Sequence, residues 1–507
     1  MLVRVLAHFP SRFRRFHRFN SNQWPLTARP NQSATNDLAH SAVHGLTIYA
    51  RLAKYTFMSL LGVGVVAWTA FEGAHLYVES VALAPETDDD VKKWEWDQEA
   101  EKWSGGDAGG TDSALGFKGT HAVRSAWMAQ NWGIGPGSSA IGSNGNGSSG
   151  VNFVDSRLEV AQDHLSTALS IAEDRKSNGK LHPQTIARLL TRHAGILERM
   201  GSQPSWFESR SQLERVWAAL TSTGIEAARI ALKLGDLNHR LGDAEDAIAW
   251  WSRAIQLTQV NGEQAKVPAV PELAPASPLA QRTLVSTLVS LSAFYATSGQ
   301  LKQAKAFEES SLDLLQTITP TNSLKVASPP QALHVLYLLH RSSLLSIHLA
   351  EVSFALRSPT PISLQHLSSA AESSERVALA LTGLPRIHPD APLSQIPHPP
   401  SSEAPLLKAF TQSNSLIKPA TSLLRDARRT AAEAWNLMGL LNEETEGTKP
   451  EKALQCYERA LGWVGVSADR PGGVADPGEG ILEVEWKLFW ANYVRARDAV
   501  RKEQVKS

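Results

Sequence analysis

From Val151 onward, hydrophobic residues recur at i, i+3 or i+4 and i+7, the spacing of helices with one buried stripe. The clearest stretch is Ile225–Gln259, which predicts two helices joined at Gly242-Asp243. Ile225, Ala228, Leu232, Leu234 and Gly235 mark the first, and Ala247, Ile248, Trp251, Ala254 and Ile255 the second. Small side chains at Gly235, Ala247 and Ala254 let the two backbones approach, and Trp251 fills the space between them. A second hairpin is predicted over Leu284–Leu315, with Leu288, Leu291, Ser292, Tyr295 and Gly299 followed by Ala304, Phe307 and Leu312. A third spans Ala431–Leu461, carrying Trp435, Gly439, Ala453, Tyr457 and Ala460 around a longer turn. Further helices are predicted at Val154–Glu173, Gln184–Met200, Ser205–Leu220, Gln331–Leu356 and Ser363–Leu381. A last one, Ile481–Val500, turns Leu482, Trp486, Phe489, Trp490 and Tyr493 to one side. A helical hairpin cannot bury its stripe alone, so such units stack on their neighbours. The pattern predicts an all-α solenoid of helical hairpins over residues 151–507, capped by the last helix.

Upstream the pattern changes. Tyr55–Phe71 is uncharged, and Gly73–Val78 extends it enough to cross a hydrocarbon core of about 30 Å at about 1.5 Å per residue. Residues 55–78 are read as one transmembrane helix, with Tyr55, Trp68 and Tyr77 placed for the interfaces. A buried core helix is the competing reading. Residues 1–54 hold eight Arg/Lys against one acid, Asp37, and residues 11–19 alternate cations with phenylalanines. Rich in arginine and serine and almost free of acid, this is the composition of a mitochondrial presequence. A basic tail that touches anionic lipid or RNA is the alternative; a secretory signal fits poorly because no apolar core follows the first arginines. Cations before the span and Glu79, Glu86 and Asp88–Asp90 after it place the N-terminus in the matrix and the rest in the intermembrane space.

Residues 79–150 are expected to link the span to the solenoid. Asp88–Trp103 is acidic and contains Trp94, Trp96 and Trp103, a strip expected near the membrane surface. Phe117–Trp132 predicts a short helix whose aromatics either dock a partner or cap the first repeat. Gly133–Gly150 is a low-complexity linker, and Leu384–Pro405, with seven prolines, is an irregular insertion.

Chemistry is mostly excluded. Fifty Lys and Arg balance fifty Asp and Glu, so nothing in the net charge argues for a nucleic-acid partner. The lone Cys456 rules out an internal disulfide and a cysteine metal cluster, and is expected in the core. His334, His340 and His348 share a helix, but spacings of six and eight suit joint metal ligation poorly. Gly133–Gly137 is followed by no Gly-Lys-Ser/Thr, and no nucleophile elbow or kinase signature occurs. The chain is expected to be non-enzymatic, with no catalytic residue, cofactor or metal.

What remains is recognition of other proteins. Gly235, Ala247, Trp251 and Ala254 match the small-residue, alanine, aromatic and alanine positions of the tetratricopeptide repeat, which this stretch resembles. In that family the first helices line a concave, peptide-binding groove. The resemblance assigns groove positions to Arg229, Leu232, Asp236, His239 and Arg240 on the central repeat and to Glu433 and Asn436 on the last. The Lys/Asn/Arg clamp by which some members hold chaperone C-termini is incomplete here. In its order of parts, the chain resembles the fungal tetratricopeptide adaptor subunit of the mitochondrial inner-membrane i-AAA protease. That resemblance implies a single-pass inner-membrane protein, exposed to the intermembrane space, that binds unfolded membrane-protein substrates and passes them to the protease. An assembly factor or scaffold for a respiratory complex is the alternative. An outer-membrane import receptor is disfavoured by the long arginine-rich leader.

Overall fold

The structure, a computed structural model, describes residues 32–133, 156–176, 179, 181–182, 184–220, 224–259, 268–318, 327–384, 405–445, 450–465 and 485–506. Most of the expected presequence, the Gly/Ser linker, and most of the proline-rich insertion lie outside the described residues. The chain forms two units, Met1–Gly73 and Ala74–Ser507. The helix α1 (Gln32–Tyr77) belongs to the first unit up to Gly73 and to the second from Ala74; within the first its apolar side chains are exposed, Leu60 and Val63 being 71% and 69% exposed. With the π-helical turn Val78–Ala82, the stretch Val43–Ala82 is long and apolar enough to cross a membrane. It contains the expected residues 55–78 and extends beyond them at both ends.

The second unit contains only helices and turns among the described residues. After two short helices, α2 (Asp89–Lys93) and α3 (Trp96–Glu99), six hairpins follow in chain order. They are α4 (Gly116–Trp132) with α5 (Ser156–Lys176), α6 (Thr185–Met200) with α7 (Gln203–Ala219), and α8 (Ile225–Leu241) with α9 (Ala244–Thr258). Then come α10 (Pro278–Thr297) with α11 (Leu301–Ile318), α12 (Pro329–Ala355) with α13 (Thr360–Thr382), and α14 (Asn414–Glu444) with α15 (Pro450–Val464). A final helix, α16 (Glu485–Lys506), packs on α15. The fold class read from the periodicity, an all-α stack of helical hairpins, is the one observed.

Several boundaries differ. The stack begins with α4 rather than at residue 151: Val123, Ala126 and Ala129 share a core with Ala161, Leu165 and Ala168 of α5. The low-complexity stretch between them hides this pairing in the sequence. Nor are residues 79–115 a free linker, because Leu83, Trp103 and Leu115 are buried in that same core. The helix expected from Leu284 starts at Pro278, where Ser277 caps it by accepting from Ala280 N.

Close approach within the hairpins has a steric origin. A methyl group at Gly235 would stand 2.4 Å from Trp251 Cδ1, and one at Gly439 2.5 Å from Tyr457 Cε1. In the α10–α11 hairpin, Ser292 and Glu308 take the places of glycine and aromatic. Glu308 is fully buried, and the Ser292 hydroxyl bridges its Oε1 (2.8 Å) to His348 Nδ1 (2.9 Å). Burial pushes the Glu308 carboxyl up to about 8, so the side chain is held as a neutral acid.

Two measurements follow. Gly235→Ala is expected to lower unfolding stability by about 1–3 kcal/mol through overpacking, and Gly235→Ala with Trp251→Leu to lose less than the two single variants together. For Glu308, the folded state keeps a proton between pH 4.5 and about 8 that the unfolded chain has released, so its contribution is full below 4.5 and declines as pH rises to 8. Each unit of that interval is worth about 1.4 kcal/mol at most. Denaturation at stepped pH should show Glu308→Gln flattening this decline.

Candidate functional site

Helices α6, α8, α10, α12 and α14 each bond the acidic segment that follows α1, so the five line its path as an inner groove. Trp96 is fully buried there. Its indole N–H donates to the Pro330 carbonyl at the start of α12 (2.9 Å), and the Arg282 guanidinium of α10 lies over the ring, 3.8 Å from its centroid. Arg282 is 1% exposed, and four hydrogen bonds hold its guanidinium. Nε donates to Glu99 Oε2 (2.5 Å), Nη1 to the Trp94 carbonyl (3.2 Å) and to His334 Nδ1 (3.1 Å), and Nη2 to the Glu95 carbonyl (3.1 Å). An arginine can only donate, so Nδ1 of His334 accepts and Nε2 carries its proton toward Gln281 Oε1 at 2.9 Å. Burial, reinforced by the adjacent Arg282 charge, pushes His334 down to about 3.

The carboxylates of the segment meet the N-termini of the lining helices, where backbone N–H groups lack partners and the helix dipole favours negative charge. Glu95 Oε2 accepts from Leu279 N (2.8 Å) and Ser277 Oγ (2.5 Å) at the start of α10. Glu86 accepts from the Oγ of Ser413, the cap of α14. Asp112 Oδ2 accepts from Thr185 Oγ1 (2.7 Å) and His182 N (3.0 Å) at the start of α6. Burial alone would raise Glu86 and Asp112, but these hydrogen bonds outweigh it and both carboxyls are lowered. Glu95 sits at φ 55°, a left-handed conformation that costs a non-glycine residue on the order of 1–3 kcal/mol. It is held there from both sides, its carbonyl by Arg282 and its carboxylate by α10.

Glu101 joins two helices far apart in the chain. Its Oε1 lies 3.2 Å from Arg192 Nη1 on α6 and its Oε2 2.9 Å from Lys418 Nζ on α14. Burial would raise this carboxyl, yet Arg192 and Lys418 together bring it down to about 2.

The seven residues assigned to the groove fall in several environments. Arg229 reaches the inner segment, donating to the Gln98 and Glu99 carbonyls at 2.8 and 3.4 Å. Leu232 is half-buried against the core, and Asp236 accepts from Trp251 Nε1 at 3.0 Å. Burial raises the Asp236 carboxyl. The His239 ring lies 5.7 Å from Trp251 and 5.6 Å from Phe294, and Arg240 pairs with Glu198 at 3.0 Å. Glu433 is exposed on α14, whereas Asn436 is buried and accepts from Asn492 Nδ2 of α16 at 2.9 Å.

The cations that do most of the holding, Arg282, Arg192 and Lys418, escape sequence reading. Arg282 lies before the expected start of its helix, and the other two belong to no recognisable repeat position. The available signal is the acidic, tryptophan-bearing strip itself, which needs buried partners of opposite charge.

The histidines of α12 bond separate neighbours. His340 Nε2 is 3.0 Å from Thr430 Oγ1, and burial pushes His340 and His348 down to about 3 and about 4. Among the described residues no group of three or more His, Cys, Asp or Glu is arranged to hold a metal ion. Cys456 is buried, and burial raises its thiol to about 11.

No protein-family model and no curated relative matches the chain. Among solved structures it is similar to BtubC (BKLC) from P. vanneervenii at 16% identity, over 58% of this chain and 98% of that one, with a TM-score of 0.30.

Trp96→Ala should cost about 3–5 kcal/mol of unfolding stability, the range for deleting a buried aromatic. Arg282→Met, which strands Glu99 and three carbonyl or ring acceptors, should cost a similar amount. Urea unfolding of the full chain measures both; a loss below about 1 kcal/mol for either would mean that the segment is not integral to the fold.

Proposed function

We propose that the chain is a non-enzymatic, single-pass adaptor of the mitochondrial inner membrane. In this reading its tetratricopeptide-like domain faces the intermembrane space and delivers unfolded membrane-protein substrates to the i-AAA protease. The observation that carries it is an exposed apolar helix followed, after the inner segment, by a stack of helical hairpins. A helical stack offers an extended protein-binding surface, and an anchor keeps that surface beside a membrane. The arginine-rich leader supports the compartment, and the cations preceding the span support the orientation.

With the inner groove holding the chain's own segment, clients are placed on the outer helices and on exposed edges of the stack. The same filled groove favours the second reading, an assembly factor for a respiratory complex, because a folded partner docks on outer surfaces without needing an open peptide groove.

Affinity capture of the tagged full-length protein from detergent-solubilised mitochondria, read by mass spectrometry, separates the two. Recovery of an inner-membrane AAA protease together with varied membrane proteins is the expected outcome. Recovery of one respiratory complex without the protease would replace the adaptor reading by the assembly factor.

A further inference from the structure

The first helix of the stack presents an aromatic edge that the hairpin packing does not use. Val123, Ala126 and Ala129 bury one side of α4 against α5. On another side, Phe117 and Trp132 are 63% and 44% exposed, with His121 between them. The end of α1 lies across this side. The His75 ring is 4.4 Å from His121, which is 3.9 Å from Phe117. The Tyr77 ring is 5.9 Å from Trp132, which in turn meets Trp127 edge-on at 5.5 Å. Leu76, Tyr77 and Val81 are themselves exposed. The end of α1 and the edge of α4, separated in the chain by the inner segment, thus build one collar of rings: His75 is buried at its base, and Tyr77, Phe117 and Trp132 are open to the outside.

Leu76, Tyr77 and Val81 belong to the apolar stretch Val43–Ala82, so the collar starts where that stretch ends, whatever direction the helix takes. Tryptophan and tyrosine favour the headgroup layer because an apolar ring and a polar N–H or O–H are satisfied there together. An exposed lysine, Lys118, stands next to Phe117, suited to anionic headgroups.

We infer that the edge of α4 bearing Phe117, Lys118, His121 and Trp132 lies in the lipid headgroup layer beside the end of the span, a second membrane contact of this protein. The inference rests on reading α1 as a membrane span. Its consequence is that the repeat domain is seated on the bilayer through α4 as well as tethered to it.

The test uses the full chain with Cys456→Ala, reconstituted into phosphatidylcholine vesicles containing a minority of anionic lipid. Single cysteines are introduced by Phe117→Cys or Trp132→Cys, with Val63→Cys as span reporter and Leu488→Cys as solvent reporter, each carrying an environment-sensitive fluorophore. Labels at 117 and 132 should be quenched by lipids spin-labelled near the headgroup and shielded from aqueous iodide. Position 63 should respond to lipids spin-labelled deep in the acyl chain, and position 488 to iodide. Iodide quenching at 117 and 132 as strong as at 488 overturns the inference, as does shielding from both quenchers, which would place a protein there. Loss of lipid quenching at position 63 would instead remove the span reading itself. Where a cysteine variant fails to fold, Trp132→Phe serves: it should reduce the quenching of intrinsic tryptophan emission by brominated lipid, whereas Trp217→Phe should not. Equal quenching in both variants overturns the proposal.

Discussion

Arg282 is a charge that water cannot reach, and a buried guanidinium is tolerable only when its donors are matched. The groups that match it come from one short run, the carbonyls of Trp94 and Glu95 and the carboxylate of Glu99, together with His334. Trp96 supplies the apolar face beneath it. Satisfying this one side chain therefore sets the path of the inner segment, the left-handed turn at Glu95 and the tautomer of His334. Packing around it brings α10 and α12 together over the same ring.

The acids after the apolar helix carry a second meaning in three dimensions. Read along the chain, they are only a counterweight to the basic leader. In the fold, Glu86, Glu95 and Asp112 each sit at the N-terminus of a lining helix, and Glu101 bridges α6 and α14. Because alternate helices of a hairpin stack run in the same direction, their positive ends collect along one rim, and an acidic segment fits that rim. The lining helices thus explain why this stretch is acidic without reference to a membrane.

Buried polar groups recur elsewhere in the stack in positions that a repeat pattern assigns to apolar residues. Glu308 occupies the place of Trp251 and Tyr457, with Ser292 where Gly235 and Gly439 stand. Glu375 accepts from the indoles of Trp435 and Trp463 and lies 3.3 Å from Arg459. Glu308 can remain because it is neutral, and Glu375 because its donors surround it; both tie one hairpin to a particular partner rather than to any apolar surface.

The helices were legible in the sequence because amphipathic periodicity is local: each apolar stripe is written within one turn-by-turn pattern, and Gly235 opposite Trp251 encodes close approach within thirty residues. The all-α class, the three clear hairpins and the apolar helix follow from that alone. The site was not legible in the same way. Arg282 and Trp96 are separated by nearly two hundred residues, and no spacing rule connects them. Arg229 was found because it shares a hairpin with its signature residues, while Arg192, Arg282 and Lys418 were not, since only tertiary packing brings hairpins distant in the chain against one segment. Local periodicity determined which residues form helices and which face is buried; the tertiary structure decided what fills the groove, because a buried charge selects its partners through space.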